Sequence, residues 1–347
     1  MSRILDHPEL LHQLVDPRSN AQHAEAFADA RGAQGLQVID PLLSNIARRY
    51  VSTGFIYDQL VARQPVQTIS GQYPTFPRYY WYAQQTDAKM EDRSSTKEVG
   101  FEWSTEKYLA QKYGLKVSIT DDERANAAPQ LRLEQNKTDL LSLQMALSRE
   151  IRIAALLRDT AHGGQLTSGH ETTPSKKWDT SESNPDSDLK AAALELDKVS
   201  IYPNTLILPY PVAYNLATTH GADTFRGQML YTVNGQEMIR LGDGILPSEI
   251  HGMKVLIPKG TKKFAANEPG IGATAEDIWG KNAILAYIDP NAGWGIPTTL
   301  YGFQFMAPTV ARWQQMDPDV EYIREMERTD EKIVAPDAAW VLSDVIS

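Results

Sequence analysis

LEQNKTDLLSLQMALSREIRIAALL, residues 133–157, is the clearest helix in the chain. Leu133, Leu140, Leu143, Leu147, Ile151, Ala154 and Leu157 recur in steps of three, four or seven, and good helix formers fill the gaps. Pro129 precedes the run and His162-Gly163-Gly164 ends it. The pattern predicts a helix over about 130–160, a rod of about 45 Å at about 1.5 Å per residue. That is well above the usual helix length.

Upstream, Gln64 to Asp121 forms an unusual block. Its first half holds Tyr73, Phe76, Tyr79, Tyr80, Trp81 and Tyr82, and its second half answers with Phe101, Trp103, Tyr108 and Tyr113. Between them lies a polar tip, Asp87 to Glu98, containing Lys89, Arg93 and Lys97. Aromatic flanks around a charged tip predict a long two-stranded hairpin or extended loop. Such a ribbon is marginal in water without outside support. Before it, Pro41 to Val61 carries helical spacing. The Ala-rich stretch Ala21 to Ala30 would bury little by itself, so it reads as a tail or as an arm ordered against something else.

Downstream the pattern becomes mixed. Thr167 to Asp188, rich in Ser, Thr, Asp and Pro, reads as an exposed loop. Leu189 to Val199 reads as a short helix, and Thr205 to Leu208 as a strand running into a proline-broken turn. Val212 to Thr219 reads as a second helix. Met253 to Ile257 and Ala283 to Ile288 read as short strands, so a compact α/β domain is expected here. Two strand-like runs close the chain, Val320 to Met326 and Lys332-Ile333-Val334 through Ala339-Trp340-Val341.

The 347 residues are 42% apolar and 22% charged, ordinary globular usage that argues against a disordered chain. A net charge of −10 makes sequence-specific DNA binding a poor expectation. Cysteine is absent, which removes disulfides, thiolate zinc sites and cysteine nucleophiles. The N-terminus lacks a signal-peptide pattern, and no apolar run is long enough to span a bilayer, so no membrane partner is expected.

No catalytic motif survives scrutiny. His170-Glu171 begins like a zinc-binding H-E-x-x-H, but Pro174 stands where the second histidine belongs. Nucleophile-elbow and phosphate-loop patterns are absent. Asp121, Asp122 and Glu123 read as an acidic helix N-terminus complementing the dipole. The aromatic block lacks interleaved basic residues at a steady period, which favours packing over base stacking. No catalytic, metal or cofactor site is assigned.

The order of parts resembles the major capsid proteins of tailed double-stranded DNA phages, with their HK97-like fold. Phe101-Glu102-Trp103 through Tyr108 and Tyr113 through Glu123 resemble the return strand of that family's extended loop and the entry to its spine helix. Met145 to Ala154 resembles the spine helix. Pro203 to Leu208 is similar to a strand of the axial domain, and Thr329 to Ala339 to the closing peripheral strand. The resemblance implies an α+β chain divided into an N-terminal arm and lead-in (1–62), an extended loop or E-loop hairpin (63–120), a peripheral domain with the spine helix (121–188 and 307–347) and an axial α/β domain (189–306).

It implies a structural role without turnover: hexamers and pentamers tiling an icosahedral shell around packaged DNA, assembled in the host bacterial cytoplasm and resident in the virion. Tyr79, Trp81, Lys89, Arg93, Lys97, Phe101 and Trp103 would then make assembly contacts. About 50 leading residues are too few for the cleaved scaffolding segment of some members, so the implied partners are a separate scaffolding protein, a portal, a decoration protein and non-specific contact with DNA. Lys89 and Lys97 stand where one branch crosslinks its shells, but no matching Asn and Glu can be assigned. Two rivals remain: an encapsulin-type nanocompartment shell, and a soluble enzyme with an unrecognised site in 189–306. Particle size and contents separate the three.

Overall fold

Alternate residues of the strand Ala283–Ala286 serve different cores, and this organises much of the chain. Ile284 and Ala286 belong to one buried cluster, Ala283 and Leu285 to another, and all four are inaccessible to solvent. Period-2 geometry requires such a split in a strand covered on both faces. The computed structural model describes residues 38–39, 54–75, 89, 95–96, 104–126, 132–158, 166, 169–220, 230–233, 236–239, 241–242, 246–259, 262–264, 275–294, 296, 298–316 and 319–347. The chain divides into two compact units, one comprising Met1–Tyr50, Gly114–Ser142 and Pro308–Met326, the other Val51–Tyr113, Leu143–Ala307 and Glu327–Ser347.

Ala283–Ala286 lies inside a six-stranded mixed sheet of the second unit. The order runs Glu249–Ile250, Met253–Leu256, Thr205–Ile207, Ala283–Ala286, Ala339–Leu342 and Glu171–Thr172. Thr205–Ile207 is parallel to Met253–Leu256 and antiparallel to Ala283–Ala286, and Ala339–Leu342 pairs antiparallel with Ala283–Ala286. On one face, Ile207, Ile284, Ala339 and Val341 pack with Ala146, Ile153, Ala154 and Leu157 of the long helix, and with Leu60 and Trp279. On the other, Leu206, Leu285 and Leu342 meet Leu189, Ala192 and Leu196 of the helix Pro185–Asp197, with Val212 and Ala213 of the helix Tyr210–Asn215. Helices therefore cover both faces of the sheet, an arrangement that a mixed α/β pattern favours.

Local signals set the helix starts. Asn184 caps Pro185–Asp197 by accepting from the Ser187 N–H at 3.1 Å, and Pro185 fills the first helical turn, where no donor is needed. The prolines of Leu206 to Ala213, read from sequence as a strand running into a turn, instead start the helix Tyr210–Asn215, with Pro209 at its N-cap. Leu216–His220 continues it as a π-helical turn.

In the first unit, Ile119, Leu141, Val310 and Ile323 form a small core, with Val117 and Leu133 packed against it. The acidic triplet does open a helix, Asp121–Asn126. Thr120 and Glu123 form a reciprocal capping box there: the Glu123 N–H donates to Thr120 Oγ1 at 3.2 Å, and the Thr120 N–H donates to Glu123 Oε2 at 3.3 Å. Lys137 binds the same carboxylate at 2.6 Å and the Ser118 carbonyl at 2.7 Å. Val38–Ile39 pairs antiparallel with the long strand Leu300–Met316, Val38 opposite Arg312.

Three expectations need correction. The stretch Thr167 to Asp188 is not simply an exposed loop. It contributes Glu171–Thr172 to the sheet and buries Trp178 completely, with the Trp178 N–H donating to the Val345 carbonyl at 2.7 Å and its indole to Asp188 at 2.9 Å. The predicted run Val320 to Met326 and the residues Lys332-Ile333 of the next are parts of one strand, Asp319–Ile333, because alternation of buried and partly exposed residues continues through the charged middle. The long helix spans Leu133–Arg158, but its buried stripe is offset from the leucine spacing. Leu140 is 50% exposed, whereas Leu141, Met145, Ala146 and Glu150 are buried.

Candidate functional site

The hairpin root, in the second unit, carries a dense set of specific contacts. Ser70–Thr75 pairs antiparallel with Ser104–Leu109, from Ser70 opposite Leu109 to Thr75 opposite Ser104. Tyr73 and Tyr108 turn inward and are nearly inaccessible. Phe303 lies between them, 4.6 Å from Tyr108 in a stacked pair and 4.9 Å from Tyr73. Tyr301 meets the same ring edge-on, and Trp294 approaches it at 5.9 Å. Such a cluster adds geometric preference to burial. Gly71 makes it possible, since a Cβ there would meet the Tyr108 ring at 2.6–2.8 Å.

Polar contacts fix the same root. Tyr108 Oη lies 3.0 Å from Thr68 Oγ1, and the Tyr73 hydroxyl donates to Glu106 at 2.8 Å. Burial and the Glu106 carboxylate push the Tyr73 phenol well above its ordinary range. The Leu109 N–H donates to Asp330 Oδ2 at 2.8 Å, and burial raises that carboxyl. Ala62–Pro65, just before the root, runs parallel to Leu300–Met316 with Ala62 opposite Tyr301. Thr105 and Lys107, which alternate with Tyr108 and face the other way, are exposed, and Leu109 on the same side is 56% exposed. One face is thus fastened and the other open.

Buried charge secures the neighbouring helix. Arg149 Nε donates to both carboxylate oxygens of Glu327 at 2.9 and 2.8 Å, and Nη1 to the Tyr57 hydroxyl at 2.9 Å. Arg152 reaches Glu331 at 3.1 and 2.8 Å while its guanidinium sits 3.8 Å over the Tyr113 ring. Planar bidentate geometry of this kind is what guanidinium groups supply and ammonium groups do not. Glu150 accepts from the Tyr57 N–H at 3.0 Å, from the Ile56 N–H at 3.2 Å and from the Trp279 indole at 2.7 Å.

Lys89 is exposed. Tyr79, Trp81, Arg93, Lys97, Phe101 and Trp103 lie outside the described residues, as do residues 1–37 of the expected arm. Sequence reasoning missed Phe303, Asp330 and the charged pairs. Glu325, Glu327 and Glu331, acids separated by even steps and so on one face of the strand Asp319–Ile333, were the available signal. His170 and Glu171, the failed zinc motif, serve structure: His170 Nε2 lies 3.1 Å from Asp337, and Glu171 is a strand residue. Among the described residues no group of three or more His, Asp or Glu could hold a metal ion, and no helix is long and apolar enough to cross a membrane.

No protein-family model matches the sequence, and no curated protein matches it. Solved structures do. A phage-related protein from Bordetella bronchiseptica is similar with a TM-score of 0.63 and 18% identity, over 89% of this chain and 98% of that one. The capsid structure of cyanophage P-SCSP1u is similar with a TM-score of 0.55 and 11% identity, covering 85% and 90%. The chain has a phage-capsid fold. The same fold includes the SrpI encapsulin complex from Synechococcus elongatus, similar with a TM-score of 0.51 and 11% identity, covering 90% and 93%. The likeness agrees with the mixed α/β content of the described residues.

Proposed function

We propose that this chain is a major capsid protein, a structural subunit that assembles as hexamers and pentamers into an icosahedral shell around phage double-stranded DNA. The observation that carries this reading is likeness over most of both chains to a phage-related protein and to a phage capsid structure, from a chain with a fastened hairpin root. In this reading residues 63–120 are the extended loop, Leu133–Arg158 is the spine helix of a peripheral domain (121–188 and 307–347), and 189–306 is the axial domain. The open face of the hairpin root and the tip residues Lys89, Arg93 and Lys97, with Tyr79, Trp81, Phe101 and Trp103, meet neighbouring copies. A separate scaffolding protein, a portal, a decoration protein and non-specific contact with DNA complete the partner set, and the virion is the place of residence.

A net charge of −10 supports the reading, because a wall that bound phosphate tightly would hinder loading and release of the genome. The encapsulin likeness favours a second reading, a nanocompartment shell around protein cargo. Electron microscopy of the purified chain, with nucleic acid and cargo assayed in any particle, tests both. Shells expressed with phage partners should package DNA, whereas shells holding a host enzyme would select the encapsulin reading. A discrete monomer or dimer under all assembly conditions would sink both. Deleting Thr86–Val99 should leave soluble, folded subunits that fail to close shells.

A further inference from the structure

The strand Asp319–Ile333 sorts its charge by side. Glu321, Glu325, Glu327 and Glu331 are separated by even steps and share one side. Each is engaged there: Glu321 by Arg124, Glu325 by the Ser142 hydroxyl at 2.8 Å, Glu327 by Arg149 and Glu331 by Arg152. Tyr322, Arg324, Met326 and Arg328 alternate with them and turn the other way. The neighbouring strand Gln111–Thr120 adds Lys116 to this second side, since Val117 and Ile119 are the residues that pack with Ile323.

A ladder of cations and rings runs across the second side. Lys116 Nζ stands 4.6 Å over the Tyr322 ring, Tyr322 stacks on Trp313 at 5.3 Å, and the Arg324 guanidinium lies 5.4 Å over Trp313. Lys116 is exposed and the other three are partly exposed. Farther along the strand, Arg328 Nε is buried with no hydrogen-bond acceptor, and among the described residues neither Arg328 nor Lys116 is ion-paired. Between Val320 and Arg328 this side carries no acid. The next residue along it, Asp330, is engaged by the Leu109 N–H and lies 3.9 Å from Lys332.

We propose that this second side is a contact surface for the phosphate backbone of double-stranded nucleic acid, bound without regard to base sequence. Charge complementarity selects the partner. In a chain of net charge −10, the glutamates of this strand are committed to one side, and the other is left with lysine and arginine. Strand geometry sets the backbones of Arg324 and Arg328 about 13 Å apart. A polymer with one charge per about 3.4 Å of each strand offers a phosphate to any such spacing, whereas an acidic protein segment must match it through its own fold. Tyr322 and Trp313 are already stacked on each other and under cations, so they are poor platforms for unpaired bases, which favours the duplex. Few contacts per chain keep the affinity low, and many copies in one wall would sum them. That the duplex is a packaged genome rests on the capsid reading; the phosphate surface itself does not.

Fluorescence anisotropy of the full-length chain, kept unassembled, with a labelled mixed-sequence DNA duplex tests this. Binding should weaken steeply with salt. Lys116→Gln with Arg328→Gln should weaken it about tenfold at low salt and lower the slope of log K against log salt by about two. Lys176→Gln with Lys198→Gln removes the same charge from exposed lysines elsewhere and should leave both quantities near native. If the first pair does not fold, Lys116→Gln alone decides, with a slope lower by about one. No duplex binding by the native chain, equal losses in the two pairs, or tighter binding of single strands that Trp313→Leu abolishes would each overturn the assignment. Polyglutamate competing as well as the duplex at equal charge would also overturn it and hand the surface to an acidic protein segment. Duplex binding by a chain that builds no shells would remove the capsid reading and leave the phosphate surface standing.

Discussion

Tyr108 lies flat on Phe303, with ring centroids 4.6 Å apart and 16° between planes. One ring comes from the hairpin root and the other from the long strand Leu300–Met316, so this pair anchors the root to its unit. Phe303 is fully buried among four other aromatic rings. Replacing it by alanine should cost about 3–5 kcal/mol, read from the denaturant midpoint. Phe303→Leu should cost less than half as much. Equal losses would mean that aromatic contact, not volume, holds the root.

The Arg149–Glu327 pair gives a second test. Both side chains are largely removed from solvent, Glu327 at 2% exposure. Truncating either one strands a buried charge and should cost about 3–5 kcal/mol. The double replacement Arg149→Met with Glu327→Leu should cost less than either single truncation. A double-mutant cycle showing simple additivity would remove the claim that the two act as a unit.

Two glycines should respond differently to alanine. A Cβ on Gly54 would meet the Lys259 carbonyl oxygen at 2.1 Å, a backbone atom with little room to retreat. Gly252 has nothing within 4 Å of an added Cβ but sits at φ +75°. Gly54→Ala should destabilise by about 1–3 kcal/mol through displacement, Gly252→Ala by about 1 kcal/mol through backbone strain. Gly252→Asn should recover most of the latter, since asparagine tolerates the left-handed region; thermal midpoints of the three variants check the ordering.

Acid sensitivity in the first unit should localise to the capping box. Hydrogen bonding from Lys137, then the Thr120 N–H, holds the Glu123 carboxyl below the usual glutamate range. Its ionised form is the favoured one in the folded chain. The associated stability is present above the ordinary glutamate value and fades as pH falls through the lowered one. A carbon-detected NMR titration should place the Glu123 midpoint below a reference peptide, and Lys137→Met should raise it.

Much of the fold could be read from sequence because it rests on local rules. The long helix follows from spaced leucines and its flanking breakers, and Asp121 to Glu123 open a helix as their charge and position required. What escaped reading depends on distant partners. Glu150 looks like a surface residue until Ile56, Tyr57 and Trp279 are brought to it, and Trp178 sits in a polar stretch that only Val345 and the second core explain. Helical periodicity reports which residues share a face, but not which face meets two layers at once, so the leucine spacing includes the half-exposed Leu140 and skips the buried Leu141. The hairpin was visible as aromatic flanks, yet its anchor, Phe303, lies some 200 positions away in a strand of unremarkable composition.

The position of Ala339–Leu342 has a consequence for biosynthesis. This strand sits between Ala283–Ala286 and Glu171–Thr172, so Glu171–Thr172 has no place in the sheet until it is supplied. A ribosome delivers residues in order, and the gap must stay open while everything from Thr172 to Ala338 emerges. Long-range closure of this kind is slow, and an unfilled edge next to apolar strands is a target for aggregation. The edge of Ala283–Ala286 therefore stays open to misplaced pairing until Ala339–Leu342 arrives.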